Sequence, residues 1–349
     1  MTLRLALLGY GLAGRVFHAP LVAAVDGLEL AAVVTRDPER AAAARADHPR
    51  VEVLPGADEV WRRAGEYDAV VVATTNRTHV PLALAALEAG LPVVVDKPLA
   101  LSAADGQRLV DAAATRGLLL TVFQNRRWDG DLLTVRRLLA EGALGRVARF
   151  ESRFERWRPE PKPTWRESGG PEDGGGVLAD LGSHLVDQAL HLFGPVEAVY
   201  AEVALRRPGV RVDDDAFLAL THADGVRSHL WVSAVAPQLA PRLRVLGDRA
   251  GYTVQGLDVQ EAALRAGGGP GAPGWGEAPP AAFGVLGADG AEAPVPTEPG
   301  TWQAFYAGLV RSLTAGAPPP VDPGEVVAAL RVLDAARVSA AEGRVVRLT

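Results

Sequence analysis

At 349 residues the chain is long enough for two domains of roughly 100–200 residues each. A hydrophobic share of 48% excludes wholesale disorder, and a formal charge of −6 argues against a broad nucleic-acid surface. The absence of cysteine excludes disulfides, thiolate metal sites and cysteine nucleophiles. The opening Met1-Thr2-Leu3-Arg4-Leu5 runs into Gly9 without a cleavage-type region, and no run approaches the roughly 20 apolar residues of a membrane helix. The expectation is a cytoplasmic protein with a small-molecule substrate and no nucleic-acid or membrane partner.

The first part alternates strands and helices. Leu3–Leu8 reads as a strand and Gly14–Val25 as a helix, Leu28–Val34 as a strand and Pro38–Arg45 as a helix. Ala69–Ala73 and Pro92–Val95 follow as strands, each leading into a helix, over His79–Ala89 and from about Ala103 to Arg116. Ser102 is placed to cap the latter. Leu118–Val122 is the fifth strand. Such alternation predicts an α/β domain, a Rossmann-type doubly wound parallel sheet over 1–123.

After Gln124 the pattern changes. A helix over Leu132–Glu141 precedes a long alternating strand, Arg146–Trp157, then a Pro- and Gly-rich loop and a helix over Asp180–Phe193. Five more strands follow: Val196–Arg206, Asp215–Thr221, Arg227–Ser233, Arg242–Gly247 and Gly251–Val254. Residues 124–349 therefore predict an α+β domain with a mostly antiparallel, open-faced sheet that binds substrate and mediates oligomerisation. Ala266–Pro299 reads as a surface excursion, and helices within 301–342 close the chain, with room to pack back on the first domain. An exposed sheet face makes a homodimer or homotetramer natural.

Gly9-Tyr10-Gly11-Leu12-Ala13-Gly14 matches G-x-G-x-x-G between a strand and a helix. Gly9 allows the turn, Gly11 lets a pyrophosphate approach the backbone, and Gly14 lets helix and strand pack. The alternative is a glycine-rich turn without a ligand. A ribose-binding acid is expected near position 34, but the residues there are Val33-Val34-Thr35-Arg36. Thr35 and Arg36 suit a phosphate and favour NADP, with NAD possible. Asp37 is the counter-argument, since a one-residue bulge brings it to the ribose, and Arg36 is then merely solvated. Thr74, Thr75, Asn76 and His79 follow the third strand, and Asn125 the fifth, where side chains can reach a cofactor. His79 could equally have no such role.

Val93-Val94-Val95-Asp96-Lys97-Pro98 is a buried-strand run stopped by a charged pair and proline, which places Lys97 at the carboxyl end of a strand. Ligands bind there in open α/β sheets, and a partly desolvated lysine can exchange protons; the alternative is a surface lysine. Asp180 and His184 stand four apart in Asp180-Leu181-Gly182-Ser183-His184-Leu185-Val186-Asp187, with Asp187 three further on. A carboxylate beside an imidazole fixes its tautomer and suits general acid–base work. A structural cap and a metal site are the alternatives; no metal is expected. Trp165-Arg166 could meet a phosphate or carboxamide, or stack on each other at the surface.

Taken together, GYGLAG, VVVDKP, NRRWD, the WRE after the proline-rich loop and DLGSHLVDQALHLFG resemble the Gfo/Idh/MocA family, in particular its bacterial NADP-dependent scyllo-inositol dehydrogenases, over essentially the whole chain. The resemblance implies hydride transfer between NADP(H) and a secondary alcohol or ketone of a cyclic polyol or sugar, scyllo-inositol or its inosose first. Another keto-sugar, or a silent NADP-binding regulator, are the alternatives. It further implies that Lys97, His184 and Asp180 are catalytic. Gly9, Tyr10, Gly11, Leu12, Ala13, Gly14, Thr35, Arg36, Thr74, Thr75, Asn76, His79, Asp96, Lys97, Asn125, Trp165 and Arg166 fall at cofactor-contacting positions. The family usually has glutamate before the lysine. Asp96 is one methylene shorter, which weakens or makes indirect its contact to the nicotinamide ribose.

Overall fold

The computed structural model describes residues 2–348 except 163, 165, 166, 168, 171 and 172. Its contacts divide the chain into two compact units, residues 1–125, 260–275 and 301–327, and residues 126–259, 276–300 and 328–349. The segment 260–275, read from sequence as part of the second domain, falls in the first unit, and so does 301–327, within the closing helices that the sequence left room to pack back on the first domain. Their anchors are long-range and carry no local signature: Phe305 packs edge-on to Phe123 at 5.0 Å, and the Thr121 hydroxyl donates to the Val321 carbonyl at 2.8 Å.

The first unit holds a six-stranded sheet in the order β3-β2-β1-β4-β5-β6, all pairs parallel. The strands are β1 Leu3–Leu8, β2 Leu28–Val34, β3 Glu52–Leu54, β4 Ala69–Val72, β5 Val93–Asp96 and β6 Leu120–Phe123. Every residue of β4, β5 and β6 is buried, because helices cover both faces, so these strands read as unbroken apolar runs. The edge strand β3 was not legible, being three residues long with an exposed Glu52. Strand order reverses between β1 and β4, and the crevice outside their carboxyl ends is where such sheets bind ligands.

The helix expected over Gly14–Val25 is two pieces. Ala13–His18 winds with the wide π geometry, and an α-helix, α1, covers Ala19–Ala23 with Pro20 in its first turn. Proline has no N–H to donate back along a helix, so the regular ladder restarts there. Helix α2 (Pro38–Asp47) follows β2, α3 (Ala57–Arg62) follows β3, α4 (His79–Glu88) follows β4, and α5 (Ala103–Arg116) follows β5. Ser102 caps α5 as expected, its hydroxyl accepting from the Asp105 N–H at 3.1 Å.

The second unit holds a nine-stranded sheet in the order β14-β13-β12-β11-β7-β10-β9-β8-β15. Here β7 is Val147–Glu155, β8 Val196–Ala204, β9 Asp215–His222, β10 Arg227–Ser233, β11 Leu243–Gly247, β12 Gly251–Val254, β13 Gly284–Gly287, β14 Ala293–Val295 and β15 Val346–Arg347. All neighbours are antiparallel except β7 and β10. The strict alternation of β9 buries Ala216, Leu218, Leu220 and His222 and leaves Asp215, Phe217, Ala219 and Thr221 half-exposed, so one face is covered and the other open. Helices α6 (Gly130–Ala140) and α7 (Ser183–Phe193) also belong here, and Phe193 meets Phe150 of β7 at 5.3 Å. The excursion expected over Ala266–Pro299 is partly sheet, since β13 and β14 extend the edge. Both are too short to outweigh the Gly and Pro around them. No described helix is long and apolar enough to cross a membrane.

Candidate dinucleotide and catalytic site

The three motif glycines do different work. Gly9 has φ +97°, and a Cβ there would lie 2.6 Å from the Ala73 carbonyl oxygen. A Cβ on Gly14 would overlap the Gly9 carbonyl oxygen. A Cβ on Gly11 would meet only the Arg40 guanidinium, 3.7 Å away. Two glycines are therefore demanded by the fold, and the third keeps open a cradle that a side chain would fill. That cradle lies where a dinucleotide pyrophosphate approaches the backbone, so these residues fit the group. Gly11→Ala is expected to leave the melting temperature within about 2 °C, since surface changes cost little. The same change should weaken NADPH binding at least about tenfold by fluorescence titration. Gly14→Ala should lower the melting temperature markedly, because overpacking costs ~1–3 kcal/mol or more.

At the end of β2, Asp37 has partners within its own helix. Its carboxylate caps α2, accepting from the N–H groups of Glu39 at 2.9 Å and Arg40 at 3.1 Å, and pairs with the Arg40 guanidinium at 3.4 Å. Thr35 accepts from the Asp37 N–H at 3.3 Å, and Arg36 donates to the Pro55 carbonyl at 3.2 Å. The acid is committed to the cap, and Arg36 and Arg40 are the cations at this edge. Arg40 was not singled out in the sequence. Its helical place three residues after the cap was the available signal.

Lys97 directly follows β5. Lys97 and Lys162 are the chain's two lysines; every other one of its 36 Lys and Arg residues is arginine. Asp96 is buried, with its Oδ1 3.4 Å from His18 Nε2, and His18 Nδ1 lies 2.6 Å from the Tyr306 hydroxyl. Burial pushes the Asp96 carboxyl up, but the His18 contact, with the nearby Lys97 charge, outweighs it and holds the group below the usual carboxylate range. His79 is fully buried, with Nδ1 2.8 Å from the Pro98 carbonyl and Nε2 3.3 Å from the Thr74 carbonyl. Both ring nitrogens thus face backbone, which corrects the cofactor-contact expectation for His79: it braces β4's end against the segment after Lys97. Thr74 and Thr78 share a hydrogen bond at 2.7 Å, the Thr78 hydroxyl also approaches the Thr75 carbonyl at 2.7 Å, and Asn76 and Asn125 are buried.

In the second unit, residues Leu178–Gly182 wind with π geometry directly before α7, so Asp180 lies one turn ahead of the buried His184. Wide turns of this kind frequently occur at functional sites. Asp187, expected beside the imidazole, instead accepts two hydrogen bonds from the Arg127 guanidinium, at 2.9 and 2.7 Å, with both side chains buried. Gln188 accepts from Arg242 at 3.0 Å and donates to the Arg126 carbonyl at 3.1 Å. The Asp-Gln pair of the motif thus fixes α7 in place, and Asp180 and His184 take no part in that anchoring. Trp165 and Arg166 lie outside the described residues. Among the described residues, no group of three His, Asp or Glu could hold a metal ion.

A family described as "Oxidoreductase family, NAD-binding Rossmann fold" matches residues 3–124, and "GFO/IDH/MocA C-terminal domain" matches residues 132–253. Scyllo-inositol 2-dehydrogenase (NADP(+)) IolW of Bacillus subtilis is 34% identical over 99% of this chain and 96% of that protein. The chain belongs to the Gfo/Idh/MocA oxidoreductase family. The oxidoreductase YdgJ of Escherichia coli is 38% identical over 95% of this chain and 94% of its own. A solved structure of the Bacillus subtilis oxidoreductase yvaA superposes with a TM-score of 0.94 at 34% identity, covering 100% of this chain and 99% of that one. Residues 3–124 are thus the NAD-binding Rossmann part of a Gfo/Idh/MocA oxidoreductase.

Proposed function

We propose that this enzyme moves a hydride between NADP(H) and a secondary alcohol or ketone of a cyclic polyol, with scyllo-inositol and its inosose as the pair. The observation that carries the reading is Lys97. A chain that uses arginine almost everywhere keeps lysine at the carboxyl end of a parallel strand. Arginine is always charged, whereas lysine can give and take a proton. In this reading Lys97 holds and polarises the reacting oxygen, His184 takes the hydroxyl proton, and Asp180 orients the site. NADP⁺, when bound, supplies the hydride-accepting nicotinamide. Full-length likeness to IolW supports the polyol substrate. Commitment of Asp37 to the helix cap, with Arg36 at the strand end, supports NADP over NAD.

The test mixes the purified protein with NADP⁺ or NAD⁺ and a panel of inositol isomers and sugars, following reduced-nicotinamide absorbance. Turnover of scyllo-inositol is expected, with kcat/KM at least about tenfold higher for NADP⁺, as expected when a charge-assisted contact to the extra phosphate is gained. Silence across the inositols with intact NADPH binding would overturn the substrate, in favour of another keto-sugar or a sensor.

A further inference from the structure

Behind Lys97 lies a buried polar chain that the reaction itself does not require. His18, from the π turn after the glycines, and Tyr306, from helix α8 (Gln303–Ala315), are both fully buried. Burial and the nearby Asp96 charge hold the Tyr306 phenol well above its usual range, so it stays a hydroxyl. His18 Nε2 faces the Asp96 carboxylate, which can only accept, so a neutral ring carries its hydrogen there and leaves Nδ1 to accept from the Tyr306 hydroxyl 2.6 Å away. That Nε2 is buried without a hydrogen-bond partner, and the nearest acidic oxygen is Asp96 Oδ1 at 3.4 Å, an ion-pair distance lacking hydrogen-bond geometry. A buried N–H is costly unless paired, so the contact is poised to close on the carboxylate. On the remaining sides, His79 of α4 and Lys97 face Asp96, and the Phe123 ring lies 4.4 Å from His18. Burial keeps His79 neutral, and its Nδ1 faces the Pro98 carbonyl.

We propose that His18 and Tyr306 are positioning residues: Tyr306 fixes the His18 tautomer, His18 holds Asp96 as a carboxylate, and that carboxylate favours the ammonium form of Lys97. The proposal rests on the reading of Lys97 as the group that handles the reacting oxygen. It gives the aspartate that stands in place of the family's usual glutamate a role directed inward, toward the lysine's charge.

The chain's two lysines make the test direct. Protein labelled with [ε-¹³C]lysine gives two side-chain signals, and the Lys97→Arg variant assigns them. In the unsubstituted protein the Lys97 signal should titrate in one step. His18→Leu removes the donor and leaves the burial penalty, so protonation of Asp96 moves up in pH, and the Lys97 signal should gain a second, lower inflection. His18→Gln restores an N–H and should restore the single step. Turnover of His18→Leu should fall about tenfold near pH 6, the size of one lost charge-assisted hydrogen bond, and approach that of the parent above pH 8. If His18→Leu does not fold, Tyr306→Phe carries the same test by releasing the tautomer. An unchanged one-step titration in a folded variant, or a loss uniform across pH, would overturn the proposal. Full turnover by Lys97→Ala would overturn the reading of the reaction instead, and the coupling seen in the spectra would stand.

Discussion

Replacing Lys97 with alanine is expected to lower kcat about 10²–10⁴-fold, the span set by a positioned proton-transfer group, while NADPH binding survives. The lysine follows a strand whose every residue is buried, so its backbone is held without the side chain's help. Loss of the ammonium should therefore remove chemistry rather than fold. Lys97→Arg is the sharper variant. It keeps the positive charge but gives up the proton, and it should recover little of the lost rate. If Lys97 and His184 serve one proton-transfer step, Lys97→Ala/His184→Asn should be little worse than the poorer single variant. Steady-state kinetics at saturating NADP⁺, with NADPH affinity measured alongside, check all three. Independent, multiplicative losses would separate the two residues' roles.

Removal of Arg127 should produce the largest loss of stability. Its guanidinium and the Asp187 carboxylate form two hydrogen bonds and are about 95% or more withdrawn from solvent. Arg127→Ala leaves a buried carboxylate uncompensated, which costs about 3–5 kcal/mol. Lysine cannot supply the fork, so Arg127→Lys should recover only part. Arg127→Ala/Asp187→Ala should be less destabilised than the sum of its single changes, because the stranded charge is gone. Urea unfolding measures each. Additive losses would show that the pair is not the anchor of α7. Because α7 carries His184, the Arg127 variants that do fold should also lose kcat.

Much of this was legible where physics is local. Unbroken valine runs announce strands buried on both faces, and an apolar run ended by Asp-Lys-Pro puts Lys97 at a strand end. Glycines closely spaced between a strand and a helix announce the tight turn after β1, where Gly9 and Gly14 leave no room for a Cβ. The illegible parts depend on partners far along the chain. His18 and Tyr306 are 288 residues apart, and Arg127 and Asp187 are 60 apart. Helical spacing suggested a carboxylate–imidazole pair at Asp187, but a buried carboxylate goes to the donor that satisfies both oxygens, and that was Arg127. Edge strands of three residues, Glu52–Leu54 and Ala293–Val295, are held by the neighbouring ladder and carry too little pattern to be read. His79 looked available to the cofactor because it opens a helix after a strand. It turned inward, with Nδ1 at the Pro98 carbonyl and Nε2 at the Thr74 carbonyl, one of which receives the neutral ring's N–H.

The central claim is direct hydride transfer from a ring carbon of a cyclic polyol to NADP⁺. Scyllo-inositol deuterated at its ring carbons, incubated with the enzyme and NADP⁺, tests it by mass spectrometry of the reduced cofactor. One deuterium per NADPH is the expected result. NADPH formed without deuterium, or none formed while scyllo-inositol and NADP⁺ are both bound, would contradict it.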